Sequence, residues 1–248
     1  MAPGELAPVV LTCGEPARAR RVAKRFDSCE VVRRRREFLT ITGRYHGLRL
    51  SVMATGIGPD NTAIAIIEAA QTLAPGEGLT FIRIGSCGGV AEHVRLGELV
   101  ISSECLRLDA VTDLYAAKDV RALPDPGVLA ALKAAASELG HAHHVGLTAT
   151  TCDFYAGQDR SVPGFPHRQR GRLARLARRG VLNFEMEMAV YFVLARISSL
   201  PLYAGGVCAV YSDRARGEFA RPSERLNAEA RCIDVGLRAA ELLAHSTR

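Results

Sequence analysis

The sequence predicts a single-domain α/β fold built on a largely parallel or mixed β-sheet. Three observations predict it. Apolar, β-rich runs alternate with segments of helical periodicity from one end of the chain to the other. Short glycine-bearing turns close several of the apolar runs. No low-complexity linker divides the 248 residues, so residues 1–248 read as one domain.

Taken in order, strands are expected near Pro8–Cys13, Leu48–Thr55, Thr80–Gly85, Glu98–Ser103, Val145–Thr151, Val181–Phe184 and Leu202–Tyr211. Helices are expected over Pro16–Phe26, Asn61–Leu73, Gly127–Leu139, Glu187–Ile197 and Pro222–Ala244. Pro16 suits the first position of its helix, where no backbone N–H is needed. The turns Cys13-Gly14-Glu15-Pro16, Thr55-Gly56-Ile57-Gly58-Pro59 and Gly85-Ser86-Cys87-Gly88-Gly89 follow strands. In open α/β sheets such turns sit at the carboxyl ends of strands, where ligands bind. A helix N-terminus with Arg18 in its first turn is a seat for phosphate.

Composition narrows the class. Apolar residues make up 48% and charged residues 23%, the balance of an ordinary globular chain. No window approaches the roughly 18 uncharged apolar residues of a membrane helix. Met1–Pro8 lacks the basic and apolar regions of a secretory signal. The seven cysteines are odd in number, scattered and free of any Cys-x-x-Cys pair, which points to a reducing cytoplasm. The net charge of +6 is concentrated in Arg33–Arg36 and in Arg168–Arg179. Neither cluster carries the interleaved aromatics that stack bases, so sites for small anions are favoured over a nucleic-acid surface. His141, His143 and His144 lack a Cys or carboxylate at ligand spacing and read as a surface loop rather than a metal site. There is no Gly-x-Ser-x-Gly elbow and no GxGxxG fingerprint, so neither a serine hydrolase nor a dinucleotide enzyme is supported.

The segment Phe154-Tyr155-Ala156-Gly157-Gln158-Asp159-Arg160 resembles the uracil-reading motif of the uridine phosphorylases. Asn183-Phe184-Glu185-Met186-Glu187 resembles the sugar-binding motif of the wider nucleoside phosphorylase family. Gly14-Glu15-Pro16-Ala17-Arg18, Arg36-Glu37-Phe38, Thr55-Gly56-Ile57-Gly58 and Arg83-Ile84-Gly85-Ser86 follow the family's order and approximate spacing over nearly the whole chain. The resemblance implies a central mixed β-sheet flanked by helices, in a cytoplasmic hexamer of paired subunits with shared active sites. It also implies phosphorolysis of uridine to uracil and α-ribose 1-phosphate without a redox or metal cofactor. A monovalent cation near Glu37 is a further implication, with Asn61 standing where the family has Ser.

By the same resemblance Gly14, Arg18, Arg83 and Ser86 hold phosphate, and Arg36 comes from a neighbouring subunit. The residues themselves agree. Charge-assisted bonds from arginine suit phosphate geometry, and Arg83 lies in a buried-type strand where a lone guanidinium is costly unless it meets an anion. Arg36 closes a run of four arginines, which by itself reads as a solvated face. Glu187 can accept bonds from vicinal ribose hydroxyls, with Met186 packing on the sugar. Glu185 fits equally a ligand and a helix-start acid. Gln158 offers a donor and an acceptor to the imide edge of uracil, Arg160 meets the charge developing on the departing base, and Phe154 lies against base or sugar.

Three departures keep alternatives open. Met1–Pro8 has no His, whereas bacterial uridine phosphorylases use one at the 5′-hydroxyl, so a 5′-modified uridine stays in play. Tyr211-Ser212-Asp213-Arg214 stands where uridine phosphorylases have Asn-Arg. Asp213 reads either as an ion-pair partner of Arg214, near the base pocket, or as the general acid of a purine phosphorylase. Val162–Arg179 corresponds to a mobile flap, yet Arg168, Arg172, Arg175 and Arg179 recur at the spacing of a solvated helix face. A nucleosidase using water and a non-catalytic nucleoside-binding protein are the rival classes.

Overall fold

A computed structural model describes residues 1–246, so the last two residues of the expected domain lie outside it. Ten strands make one mixed sheet. They are β1 (Val9–Cys13), β2 (Ser28–Arg35), β3 (Phe38–Tyr45), β4 (Leu48–Ala54), β5 (Leu79–Gly89), β6 (Leu99–Leu108), β7 (His143–Thr151), β8 (Val181–Glu185), β9 (Leu202–Asp213) and β10 (Glu218–Phe219). Six α-helices flank them: α1 (Pro16–Ala23), α2 (Pro59–Ala70), α3 (Pro126–Glu138), α4 (Arg172–Arg178), α5 (Met188–Ile197) and α6 (Pro222–Ser246).

The sheet runs β10-β9-β6-β7-β8-β5-β1-β4-β3-β2, and β9 also pairs with β5. Strands β5, β9, β6, β7 and β8 therefore close into a ring, while β1, β4, β3 and β2 extend from β5 as an open wing. Alternation along the strands divides the interior. Val10 and Phe81 point to one face, where Met188, Tyr191 and Phe192 of α5 and Ile66 of α2 cover them. Leu11, Ile82 and Ile84 point to the other, under Leu132 of α3 and Ile233 and Leu237 of α6. Each large apolar side chain so buried contributes about 1.5–3 kcal/mol.

Two structural details bring functional residues close to the sheet. Gly206 on β9 lies beside Arg83; a Cβ there would sit 2.4 Å from the Met188 sulfur and 3.0 Å from the Arg83 Cβ. The absent side chain lets α5 and Arg83 approach the strand. Asp159 adopts a left-handed backbone (φ 56°), a conformation Asp tolerates better than most residues. Its carboxylate accepts from the Leu173 N–H at 3.1 Å, which ties the loop to the start of α4.

The sequence reading leaves residues 27–47 without an element, and the structure places the antiparallel β2–β3 hairpin there. Strand β2 is an edge strand with Cys29, Arg33, Arg34 and Arg35 exposed, so no buried alternation marks it. Strand β3 is buried over Leu39–Gly43, and its Phe-Leu-Thr-Ile-Thr run is the signal that was available. His143 and His144 open β7 rather than forming a loop, and His144 bonds Glu98 at 2.8 Å. No group of three or more metal-ligating side chains occurs among the described residues, and none of their helices is long and apolar enough to cross a membrane.

Candidate active site

The carboxyl ends of β1, β5, β8 and β9, with the loop after β7, enclose a cavity of about 600 Å³. Its wall includes Gly14, Arg18, Arg83, Ser86, Phe154, Gln158, Arg160, Glu185, Met186 and Glu187. Four separate motifs of the sequence thus meet in one chamber. The register explains the meeting: Thr12 on β1 and Gly206 on β9 flank Arg83 on β5, and Gly88 on β5 lies opposite Phe184 on β8.

At one end, the loop after β7 makes a 3₁₀ turn over Ala156–Gln158. Gln158 is 3% exposed. Arg214 donates to its backbone carbonyl at 2.7 Å and to its side-chain oxygen at 3.4 Å, which orients the amide with its NH₂ free. The Arg160 guanidinium lies 4.3 Å from the Phe154 ring centroid and 5.4 Å from that of Phe219, a cation–π stack on two aromatic side chains. Among the described residues its one polar contact is a long 3.4 Å bond to the Ser212 hydroxyl, and its Nε has no partner. Neither Arg160 nor Arg214 forms an ion pair among the described residues. Burial pushes the Arg160 guanidinium below its ordinary value. Burial and then the Arg160 charge bring Arg214 down to about 10.

In the middle, β8 passes into α5. Glu185 accepts from the backbone N–H groups of Glu187 and Met188, both at 2.8 Å, from the Thr150 hydroxyl and from Arg83 Nε at 3.3 Å. It serves as the acid at the helix start while still bordering the cavity. Glu187 accepts from the Gly58 N–H at 2.8 Å and from Arg83 Nη2. These bonds aim its carboxylate without using all of its lone pairs. Burial pushes the Glu185 carboxyl up, with Arg83 acting against that. Burial also works against the charge on Arg83, but Glu187 and Glu185 outweigh it and hold the guanidinium well above its ordinary value. Arg83 is 3% exposed, and its Nη1 has no partner among the described residues. The anion that the buried-strand position required is, within this chain, a pair of carboxylates.

At the other end, Gly14, Arg18 and Ser86 form the wall. Arg36 stands apart: it is exposed in the β2–β3 turn, with φ 54°, and takes no part in this chain's cavity wall. Asp213 and Arg214 stand behind the wall rather than on it.

One sequence expectation is overturned. Asp213 does not pair with Arg214. Both of its oxygens accept from Arg216, one from the backbone N–H at 2.9 Å and one from Nη1 at 2.6 Å, while Arg214 turns to Gln158. Asp213 is the last residue of β9 and Arg214 the first of the turn that follows, where the chain leaves the strand and adjacency in sequence does not bring the two side chains together. Five residues outside the sequence-derived site also matter. Ile57, Tyr211, Phe219 and Arg225 border the cavity, and Glu229 binds Arg18 from behind. Phe219 lies on a two-residue strand with no periodicity to reveal it, and Glu229 is 211 positions from Arg18.

Comparison with known proteins bears on the family. The family model described as the phosphorylase superfamily matches residues 8–248. A uridine phosphorylase of Thermococcus kodakarensis is 39% identical over 227 residues, covering 90% of this chain and 79% of its own. That of Escherichia coli is 31% identical over 241 residues, covering 96% and 92%. A guanosine phosphorylase of Halorubrum lacusprofundi is 28% identical over 207 residues, covering 84% and 79%. With the match to the family model running through every element that builds the cavity, the chain belongs to the phosphorylase superfamily.

Proposed function

We propose that the chain catalyses phosphorolysis of uridine, giving uracil and α-ribose 1-phosphate. A phosphate oxygen forms a bond to C1′ of the ribose from the face opposite the base, with inversion. The C1′–N1 bond breaks, and its electron pair leaves on uracil. The proton of hydrogen phosphate ends, through solvent, on the base. Gly14, Arg18, Arg83 and Ser86 are assigned to phosphate, Glu187 and Met186 to the sugar, and Gln158 and Arg160 to the base. Glu185 holds Arg83 and the start of α5.

The single observation that carries this reading is the charge pattern at the base end. Arg160, stacked on Phe154, borders the cavity and Arg214 behind it donates to Gln158, with no carboxylate pairing either of them among the described residues. An unneutralised guanidinium on the cavity wall, with a second one behind it, favours the anionic leaving base, and one such preorganised donor is worth about 3 kcal/mol. Asp213 favours the pyrimidine over the purine reaction for the same base end. Both of its oxygens are turned to Arg216 and it does not border the cavity, so it is not placed to deliver a proton to a purine nitrogen.

The phosphate end supports a shared site. Arg18 is paired with Glu229, and Arg83 with Glu185 and Glu187, so within one chain these cations are already balanced. A dianion needs further positive charge there. Arg36, exposed at its hairpin tip and outside every ion pair found among the described residues, is assigned that role in a neighbouring subunit of a dimer-based hexamer. Glu37, beside it in the turn, is one exposed carboxylate. Together with Asn61, whose Nδ2 donates to the Ile57 carbonyl at 3.4 Å, it does not complete a cation shell in one chain. A monovalent cation there would need ligands from both subunits, and no step depends on it.

The test is base release from uridine, thymidine, inosine and 5′-amino-5′-deoxyuridine, each with and without phosphate. Phosphate-dependent uracil release is the expected result. Ribose release without phosphate would make the chain a nucleosidase, and tight binding without turnover a nucleoside-binding protein. A preference for the 5′-amino substrate would assign the 5′-modified sugar.

A further inference from the structure

We infer that Glu229, a buried carboxylate on α6, is a positioning residue that sets phosphate affinity by locking the Arg18 guanidinium in place. The inference rests on the assignment of Arg18 to phosphate. Arg18 is 5% exposed and Glu229 4%. Arg18 Nε donates to Glu229 Oε2 at 2.8 Å, Nη1 to the Ile84 carbonyl at 3.1 Å, and Nη2 to the Tyr211 hydroxyl at 3.2 Å. The Tyr211 hydroxyl donates in turn to the same Glu229 oxygen at 3.3 Å. A guanidinium has five N–H groups. Three are held by α6, β5 and β9, and one is left on each terminal nitrogen. Arg18 borders the cavity, so this pair is the fork that a phosphate can accept in two-bond geometry.

Glu229 is itself anchored. Arg21, one turn along α1 from Arg18, donates to both of its oxygens and also to Glu15 at 2.7 Å. The carboxylate thus clamps α1 to α6 across the end of the sheet. Burial works against its charge, but Arg21 and Arg18 outweigh that and keep it below its ordinary value. Arg18 on its own is a flexible side chain whose plane must be fixed before two parallel bonds can form. Fixing that plane requires an acceptor at the reach of a glutamate, which Glu229 supplies from the far side of the guanidinium.

Three substitutions separate reach from charge, each read as KM for phosphate against KM for uridine, with Tm recorded. Glu229→Ala removes the acceptor and is expected to raise the phosphate KM about tenfold, the scale of one bond to a charged group. Glu229→Asp keeps the charge but withdraws the acceptor, and a rise of roughly threefold is expected. Glu229→Gln keeps an oxygen at full reach, and its phosphate KM should stay within about threefold of the parent. The KM for uridine should not move in any of them. An unchanged phosphate KM in the Asp variant, a Gln variant as impaired as Ala, or equal rises for both substrates would overturn the inference. Arg18→Ala distinguishes the two levels. If it leaves the phosphate KM unchanged, the phosphate assignment itself fails. If it raises that KM while the Glu229 series stays flat, only the positioning role fails.

Discussion

Removing Arg160 tests the proposed chemistry most directly. The guanidinium stacks on Phe154 and Phe219, has one long polar contact to Ser212, and has no ion-pair partner among the described residues. Its donors are therefore uncommitted before a base arrives. Arg160→Ala should lower kcat for uridine by about two to three powers of ten, the loss seen when one preorganised donor to a developing anion is deleted. A larger loss is not expected, because Arg214 remains as a second cation beside Gln158. Folding should hardly suffer. The variant gives up a cation–π contact of about 0.5–1 kcal/mol but also relieves the repulsion by which Arg160 lowers Arg214. The assay is uracil absorbance under saturating phosphate, run in parallel with 5-fluorouridine, whose base leaves as a more stable anion. A departing group that needs less help should show a smaller deficit. An equal deficit for both nucleosides, or a rate near that of the parent, would refute leaving-group stabilisation by Arg160.

Three further outcomes are expected. Arg83→Ala should raise the phosphate KM sharply and also destabilise the fold by about 3–5 kcal/mol, because Glu185 and Glu187 lose their buried partner; unchanged phosphate saturation in folded protein would count against the site map. Gly206→Ala should lower Tm through overpacking of about 1–3 kcal/mol against the Met188 sulfur, and a Tm equal to the parent's would show that α5 moves aside freely. Acid should unfold the parent through Glu229, Glu98 and Glu241, whose folded values lie below the ordinary 4.5. The unfolded chain binds protons at these groups first, so their contribution is present above about pH 4.5 and fades as pH falls through the depressed values. Denaturant midpoints between about pH 6 and 3 should therefore fall less steeply in Glu229→Gln than in the parent.

What could be read from the sequence follows from what each element shows locally. Strands β1, β4, β5 and β9 were legible because their cores are nearly continuous apolar runs ending in glycine turns. Strand β2 was not, since an exposed edge strand carrying arginines has no pattern that separates it from a solvated loop. The motifs at 154–160 and 183–187 were legible as units, and the fold brings them to one cavity. Their partners were not. Sequence adjacency suggested Arg214 for Asp213, but β9 ends at Asp213 and the turn that follows sends Arg214 to Gln158 and brings back Arg216. The hold of Glu229 on Arg18 joins α1 to α6 and depends on the closed packing between them, which no local window contains.

The distribution of charge along the cavity matches the order in which charge separates during the reaction. As the C1′–N1 bond lengthens, the sugar becomes positive and the base negative. The place proposed for the sugar lies beside Glu187, whose carboxylate is aimed by Gly58 and Arg83. The place proposed for the base is bordered by Arg160 with Arg214 behind it, and no carboxylate pairs either among the described residues. Negative charge thus stands where positive charge grows, and positive charge where negative charge grows. These groups are held by backbone and by one another before substrate arrives, so little reorganisation is left for the moment of bond breaking. Reversing one end should then cost more than neutralising it. Arg160→Glu should fall below Arg160→Ala in kcat by at least about tenfold, since a carboxylate would repel the departing base as well as withdraw a donor. Equal rates in the two variants would mean that the field at the base end does not act on the leaving group.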